Sequence, residues 1–167
     1  MTIEDIICKA NVGRSTLYLH YAGKEALLTE SLKYPSRGLA ACVRRDISPR
    51  ALVPLLEHFR EQRSVNRIFF HHPIRSRWVK CLAGLLEKEM AAEPRAARKA
   101  DALPRALVAL TLAEMQIALV THWLSNAAGV ATEDVARALI ALSAAVLDDT
   151  LRSRSQPVRT AGSLQTP

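Results

Sequence analysis

The chain has 167 residues, of which 49% are hydrophobic and only 6 are glycine. This composition supplies apolar material for one substantial core and favours helix over sheet. Three widely spaced cysteines, an odd number, argue against a disulfide framework and indicate a reducing compartment. We see neither a signal peptide nor an apolar run of the roughly 20 residues that a bilayer span needs. We therefore expect a cytoplasmic protein with no membrane partner.

The formal net charge of the chain is +7, which is compatible with a nucleic-acid partner. Arginine-rich helices also carry such a charge simply because it solvates their outer faces. The global charge therefore supports DNA binding only weakly, and local motifs are more informative.

Residues 2–10 have the pattern of a helix that begins with a capping box. The Thr2 hydroxyl can cap free backbone N–H groups, and Asp5 can reach back toward the helix start. One face of this helix is apolar at helical spacing. It consists of Ile3, Ile6, Ile7 and Ala10.

A three-residue turn, Asn11-Val12-Gly13, ends this first helix. Asn11 is, after glycine, the residue that best tolerates the left-handed conformation such a turn requires. Val12 can fill the angle between the two helices, and Gly13 is an acceptable N-cap for the second one.

The second helix is predicted from Arg14 to Tyr21, with Leu17 and Tyr21 turned inward. Its outward side chains are small or form hydrogen bonds, which suits a DNA major groove better than a protein core. No acidic residue occurs between Ile6 and Lys24. The outward residues are Arg14, Ser15, Thr16, Tyr18 and His20.

Residues 2–28 resemble the helix-turn-helix of the tetracycline-repressor (TetR) family of bacterial transcriptional regulators. The spacing T-L-Y-x-H-[FY]-x-x-K is the most specific part of this resemblance. This chain departs from the family at Ile7, where alanine is usual, at Asn11 (glycine) and at Gly13 (serine). The matching residues are Ile6, Ala10, Val12, Thr16, Leu17, Tyr18, Tyr21, Lys24, Leu27 and Leu28.

The resemblance implies an all-α homodimeric DNA-binding regulator, most often a repressor, released from its operator by a small, largely apolar effector. The implied partners are a double-stranded DNA operator and that effector, without a cofactor. Thr2 would lie where the first helix of the pair approaches the DNA backbone. By the same resemblance, Arg14, Ser15 and Thr16 would face base edges, whereas Tyr18, His20 and Lys24 would hold phosphates.

The family has one further helix before the position of Thr2, which closes the three-helix head. We expect the open reading frame to continue upstream of Met1 into that helix, because Ile3 and Leu17 need more apolar cover than the chain provides. The alternative is a ligand-binding and dimerisation module whose incomplete head is vestigial and does not bind DNA by itself. Salt-dependent DNA binding distinguishes the two.

Three regions are predicted along the chain. Residues 1–45 form the helix-turn-helix head and a linking helix, 46–152 form the ligand-binding and dimerisation domain, and 153–167 form a disordered basic tail. The linking helix opens at Lys24 and runs to about Arg45, bent or broken at Pro35.

The body is predicted as a series of helices. Ser48-Pro49 is a favourable N-cap and first position for a helix to about Arg63, with Leu52, Leu55, Leu56 and Phe59 as its apolar side. A short segment at 65–71 precedes a helix at 76–90, whose apolar side is Trp78, Leu82, Leu85 and Leu86. Residues 93–101 are predicted as an exposed connection.

The last two helices are the most apolar. Residues 103–126 are apolar on nearly every side, which is typical of a helix buried on more than one face. Thr132 is predicted to cap the final helix, which carries acidic residues in its first turn and a seam of Val135, Leu139, Leu142 and Val146 flanked by alanines. We expect a dimer interface at Leu107, Leu110, Leu139, Leu142 and Val146.

Other candidate sites are weaker. The adjacent His71 and His72 point in different directions, so we expect no metal site with Cys81. His122 is either a hydrogen-bonded core or interface residue or a ligand contact. The chain has no Ser-His-Asp order, paired carboxylates, phosphate-binding glycine loop or HExxH motif, so we expect no enzyme activity. An apolar ligand cavity could be lined by Phe69, Phe70, Trp78, Met115, Gln116, His122 and Trp123.

Overall fold

The computed structural model describes residues 11, 13–62, 74–92, 103–126 and 129–151. Every regular element in these ranges is helical, which confirms the all-α fold class. The elements are α1 (Arg14–His20), α2 (Lys24–Ala40), a 3₁₀ turn (Ala41–Val43), α3 (Pro49–Glu61), α4 (Ile74–Ala92), α5 (Arg105–Asn126) and α6 (Thr132–Leu151).

The turn before α1 has the predicted backbone conformation. Asn11 has a φ of 49°, in the left-handed region, and α1 begins directly after Gly13. A second turn separates α1 from α2 at Gly23, whose φ of 149° is one that side chains rarely allow. The predicted capping box at Thr2, its apolar face and the role of Val12 lie outside the described residues.

Helix α2 differs from its prediction. It is unbroken at Pro35 and ends at Ala40, before the 3₁₀ turn, whereas we expected an end near Arg45. A proline inside a helix removes one backbone hydrogen bond. Tertiary packing holds the helix through this point, because its inner face is buried; that face includes Leu32, Ser36, Leu39 and Ala40.

Helix α3 begins as predicted. The Arg50 N–H donates a hydrogen bond of 3.2 Å to Ser48 Oγ, and Pro49 is the first helical residue. The helix ends at Glu61, two residues before the predicted end. Its buried residues are the four that the apolar spacing indicated, Leu52, Leu55, Leu56 and Phe59.

Helix α4 lies at the centre of the body and packs against both α2 and α5. Of the predicted apolar side, Trp78, Leu82 and Leu86 are buried, while Leu85 is partly buried. Three ion pairs attach α4 to its surroundings. They join Arg77 to Glu25 (2.6 Å), Glu89 to Arg44 (2.6 Å), and Arg75 to Glu114.

Helix α5 corrects one expectation. Arg105–Ser125 is long and apolar enough to cross a membrane by length and composition, although we expected no such run. Inside the protein, 44% of its apolar window is buried. Its contacts with both α4 and α6 are those of a central core helix, which confirms burial on more than one face. The buried residues include Val108, Leu112, Gln116, Ile117, Val120 and Trp123.

The predicted apolar seam of α6 does not lie on a single buried face. Val135 and Leu139 are buried in the core, and α6 packs mainly against α3. Leu142, in contrast, is 42% exposed. The structure also corrects the predicted cap. Thr132 is the first helical residue, it is buried, and its hydroxyl donates to Glu57 Oε1 on α3.

Two cysteines lie in the described part of the chain, and both are free thiols. Cys42 is buried in the core and Cys81 is partly buried. Burial raises the pKa of the Cys42 thiol to about 12, because an apolar environment disfavours the thiolate. Cys42 is therefore a structural residue, and Cys8 lies outside the described residues.

Candidate functional site

The outward face of α1 is the first candidate site. All of the predicted DNA-contacting side chains of this helix are exposed, and Tyr18 retains 48% of its accessible surface. Tyr21 is partly buried, as its predicted inward position requires. The side chains of Leu17 and Lys24 and the whole of Thr2 lie outside the described part of the structure. The exposed predicted residues are Arg14, Ser15, Thr16, Tyr18 and His20.

This face can form hydrogen bonds in several ways. A guanidinium group provides a planar set of donors, hydroxyl groups donate and accept, and an imidazole can do either. In the major groove, arginine can bind guanine with two hydrogen bonds, while Ser and Thr can bind several bases. The surface of α1 is therefore chemically suited to reading a DNA duplex.

One exposed residue of α1 was missed by sequence reasoning. Leu19 is 81% exposed, the largest value among the large hydrophobic residues of the described chain. Its position could have predicted this exposure, because Leu19 follows Ser15 by four residues and therefore lies on the same face of the helix.

The start of α2, directly after the turn that follows α1, makes contacts with the body. Leu27 N–H donates to the Gly23 carbonyl (3.2 Å) at the start of α2. Glu25, the second residue of α2, accepts a hydrogen bond from Arg77 of α4. That hydrogen bond and the positive charge of Arg77 lower the pKa of the Glu25 carboxyl. An exposed ion pair thus joins the first turn of α2 to α4.

The structure does not bring the predicted ligand-pocket residues together. Trp78 lines one cavity, while His122 and Trp123 line a different groove. Met115 and Gln116 are not part of either lining. Two further predicted residues, Phe69 and Phe70, lie outside the described residues. The described members of the predicted set are thus divided between separate sites, because a list of apolar residues does not specify which helix faces meet.

The first cavity has a volume of about 200 Å³ and lies between α2, α3 and α4. Its floor is aromatic, because Phe59 and Trp78 meet edge to face with ring centroids 5.8 Å apart. Four of its lining residues belong to α2, the helix that begins beside the head. The lining consists of Ser31, Leu32, Tyr34, Pro35, His58, Phe59 and Trp78.

The second site is a more open groove of about 490 Å³ between α5 and α6. Trp123 is buried at its base and donates a hydrogen bond from Nε1 to the Val130 carbonyl (3.1 Å). His122 is exposed at its edge. A core position for His122 is therefore wrong, whereas the interface position and the ligand contact considered for it both stay predictions.

Gln116 lines neither of the two cavities and instead forms a buried hydrogen bond between two helices. It is fully buried, and its Nε2 donates a hydrogen bond of 3.0 Å to Ser143 Oγ of α6. This buried pair joins the last two helices of the body. Within the described ranges, no group of three His, Cys, Asp or Glu residues could hold a metal ion.

The predicted interface residues have different environments. Leu107, Leu110 and Leu142 are 48%, 43% and 42% exposed, so they have apolar surface to offer to a second chain. Leu139 has no exposed surface and belongs to the core of its own protomer, which corrects its assignment to the interface. Val146 is partly buried against that core.

Comparisons with known proteins agree with this arrangement. Residues 1–30 match the family model described as bacterial regulatory proteins, tetR family. The structure is similar to the crystal structure of a TetR transcriptional regulator from Streptococcus agalactiae 2603V. The sequences are 26% identical, the match covers 86% of this chain and 81% of that one, and the TM-score is 0.50. A comparison with curated proteins finds no match. These two findings support membership of the TetR family of bacterial regulatory proteins and a role as a transcriptional regulator.

Proposed function

We propose that this regulator is a cytoplasmic homodimeric repressor without enzyme activity, and that a small, largely apolar ligand releases it from its DNA operator. The observation that carries the proposal is the outward face of α1, where every predicted DNA-contacting side chain that the structure describes is exposed. A short helix with such a surface gains little from packing in its own protein and can bind an external polar partner.

The DNA contacts divide into two groups. Arg14, Ser15 and Thr16 read base edges, since they occupy the first turn of α1 and recognition helices contact bases through their N-terminal residues. Phosphates are held by Tyr18, His20 and Lys24, with Thr2 at the backbone.

Dimerisation uses the exposed apolar faces of α5 and α6. Leu107, Leu110 and Leu142 meet their counterparts across a two-fold axis, with Val146 at the edge of the contact. Alanines at 141 and 145 are exposed beside Leu142 and allow close approach of the helices. Two heads in the dimer then bind successive major-groove segments about 34 Å apart.

The ligand binds in the cavity between α2, α3 and α4. An apolar ligand there contacts Leu32, Phe59 and Trp78, while Ser31 and His58 offer polar contacts at the rim. Because α2 supplies much of the lining and begins beside α1, a ligand that changes the position of α2 also changes the separation of the two heads. It can shift this equilibrium only by its differential affinity for the two states.

Salt-dependent DNA binding tests the proposal. DNA affinity should fall steeply with salt, because lysine and arginine displace counterions from phosphates. Lys24→Ala should weaken binding to all sequences and reduce the salt slope by about one charge. Arg14→Ala should instead relax preference at one base pair by about 1–3 kcal/mol. These effects are measured by fluorescence anisotropy over a salt series, with duplexes selected from a random library.

Lys88→Ala is the matched control, because Lys88 is an exposed lysine on α4, away from the head. It should leave both the affinity and the salt slope nearly unchanged. A chain that dimerises but shows no salt-dependent DNA binding would support the vestigial-head alternative. A Lys24→Ala variant with altered sequence preference and an unchanged slope would contradict the division of roles.

A further inference from the structure

We infer that Leu19 is a specificity-determining residue that reads the 5-methyl group of a thymine in the operator. This inference rests on the proposed binding of α1 in the major groove. It extends the polar contacts of that helix to an apolar one.

The position of Leu19 on α1 supports this role. Successive residues of an α-helix are separated by about 100°, so Leu19 lies between Ser15 and Thr16 when the helix is viewed along its axis. Arg14 and Tyr18 flank this position on one side, and His20 lies on the other. All six of these side chains are exposed. Leu19 is therefore near the middle of the outward face and not at its border with the body.

The chemistry of the groove then selects the target. A leucine side chain has no hydrogen-bonding group, so it cannot read a base donor or acceptor or bind a phosphate. Among the base edges in the major groove, the thymine 5-methyl group is the apolar feature. Contact with this methyl group removes apolar surface of Leu19 from water, which is favourable. Ser15, on the same face, is small and leaves room for the approach.

The test removes that methyl group from the DNA. Duplexes bound by the wild-type dimer are selected from a random library, and each thymine is then replaced singly by deoxyuridine. This change keeps every hydrogen-bonding group of the base. At one thymine in each half-site, the wild type should lose affinity about fourfold, the effect of one methyl group, and about sixteenfold when both half-sites are changed.

Leu19→Ala should bind the thymine and deoxyuridine duplexes with affinities within about 1.5-fold of each other, since most of the contacting surface is gone. Leu19→Met provides a second variant that retains an apolar side chain and should preserve most of the methyl effect. Leu103→Ala is the matched control, because Leu103 is 54% exposed but lies before α5, outside the head. It should retain the full wild-type response.

The outcomes separate this inference from the proposed function. If the library yields bound sequences but no deoxyuridine substitution weakens the wild type, or if Leu19→Ala responds as strongly as the wild type, the Leu19 assignment is wrong while DNA binding stands. If no duplex is retained even at low salt, the proposed function fails, and the inference fails with it.

Discussion

Helices α1 and α4 show opposite uses of the same secondary structure. Helix α1 has 7 residues, and none of its described side chains is buried. Helix α4 has 19 residues and buries Trp78, Val79, Leu82, Leu86 and Met90. The comparison shows that the composition of α4 suits its neighbours inside the protein, whereas the exposed composition of α1 suits the DNA partner that we propose.

Energetics make the same distinction. Burying a large apolar side chain contributes about 1.5–3 kcal/mol, so substitutions in α4 act mainly on the free energy of unfolding. The exposed residues of α1 bury little surface, so substitutions there should change the free energy of unfolding only slightly. The body thus determines whether the protein folds, and under the proposed function the head determines what the folded protein binds.

The largest expected effect concerns the exposed apolar surface of the body, which is the exception to this division. Leu142→Glu would place an unpaired charge in the two-fold interface, a cost of several kcal/mol that is not recovered. Light scattering should show a monomer or aggregate, and DNA affinity should fall because the two heads are no longer linked.

Ala144→Glu is the control for this substitution. It introduces the same charge at an exposed position of α6, on a side of the helix away from Leu142. It should remain a dimer. A wild-type chain that is monomeric at high micromolar concentration would refute the proposed interface.

A substitution in the core of α4 should have the next largest effect. Leu86 has no exposed surface, so Leu86→Ala removes buried methyl groups and leaves a cavity. We expect a loss of about 2–5 kcal/mol in the free energy of unfolding, measured by urea titration of circular dichroism. The fraction of the protein that remains folded should retain its sequence preference.

The same measurement on Arg14→Ala sharpens the comparison between the two helices. That variant should unfold within about 0.5 kcal/mol of the wild type, because Arg14 is exposed. If Arg14→Ala were as destabilising as Leu86→Ala, α1 would be a folding element, and the proposed division between head and body would be wrong.

A small effect on stability is also expected at the ion pair that joins Glu89 of α4 to Arg44. Both guanidinium contacts are short, 2.7 and 2.6 Å, and the hydrogen bond to Arg44 lowers the pKa of Glu89 below 4.5. A carboxyl with a lowered folded-state pKa stabilises the protein above its unfolded value. This contribution is lost as the pH falls below about 4.5 and through the lowered pKa.

Glu89→Gln should therefore cost less than about 1 kcal/mol at neutral pH, since the pair is partly exposed. It should also flatten the loss of stability on acidification, as measured by urea unfolding between about pH 3 and 6, the range around the ordinary pKa of a glutamate carboxyl. Glu87→Gln, an exposed carboxyl on the same helix, is the control and should keep the wild-type pH dependence. Equal pH profiles for Glu89→Gln and the wild type would refute this role.

Local sequence determined the described part of the head and most of the described helices. The left-handed turn at Asn11, the exposed face of α1 and the Ser48 cap all depend on a few consecutive residues, and their geometry follows from steric and hydrogen-bonding rules that act within one turn. Periodic apolar spacing likewise identified the buried side of α3, because an amphipathic helix has one inward direction.

Tertiary structure decided what depends on distant parts of the chain. Sequence reasoning grouped Leu139 with Leu142, although one is buried and the other exposed, because a helix that is apolar on several sides does not reveal which side meets its own core. It also assigned Thr132 to a helix cap, whereas the Thr132 hydroxyl donates a hydrogen bond to Glu57, 75 residues away in sequence. Trp78 and Trp123 were placed in one cavity but line two. A local pattern fixes the conformation of a helix, but only the packing of all the helices determines what each side chain touches.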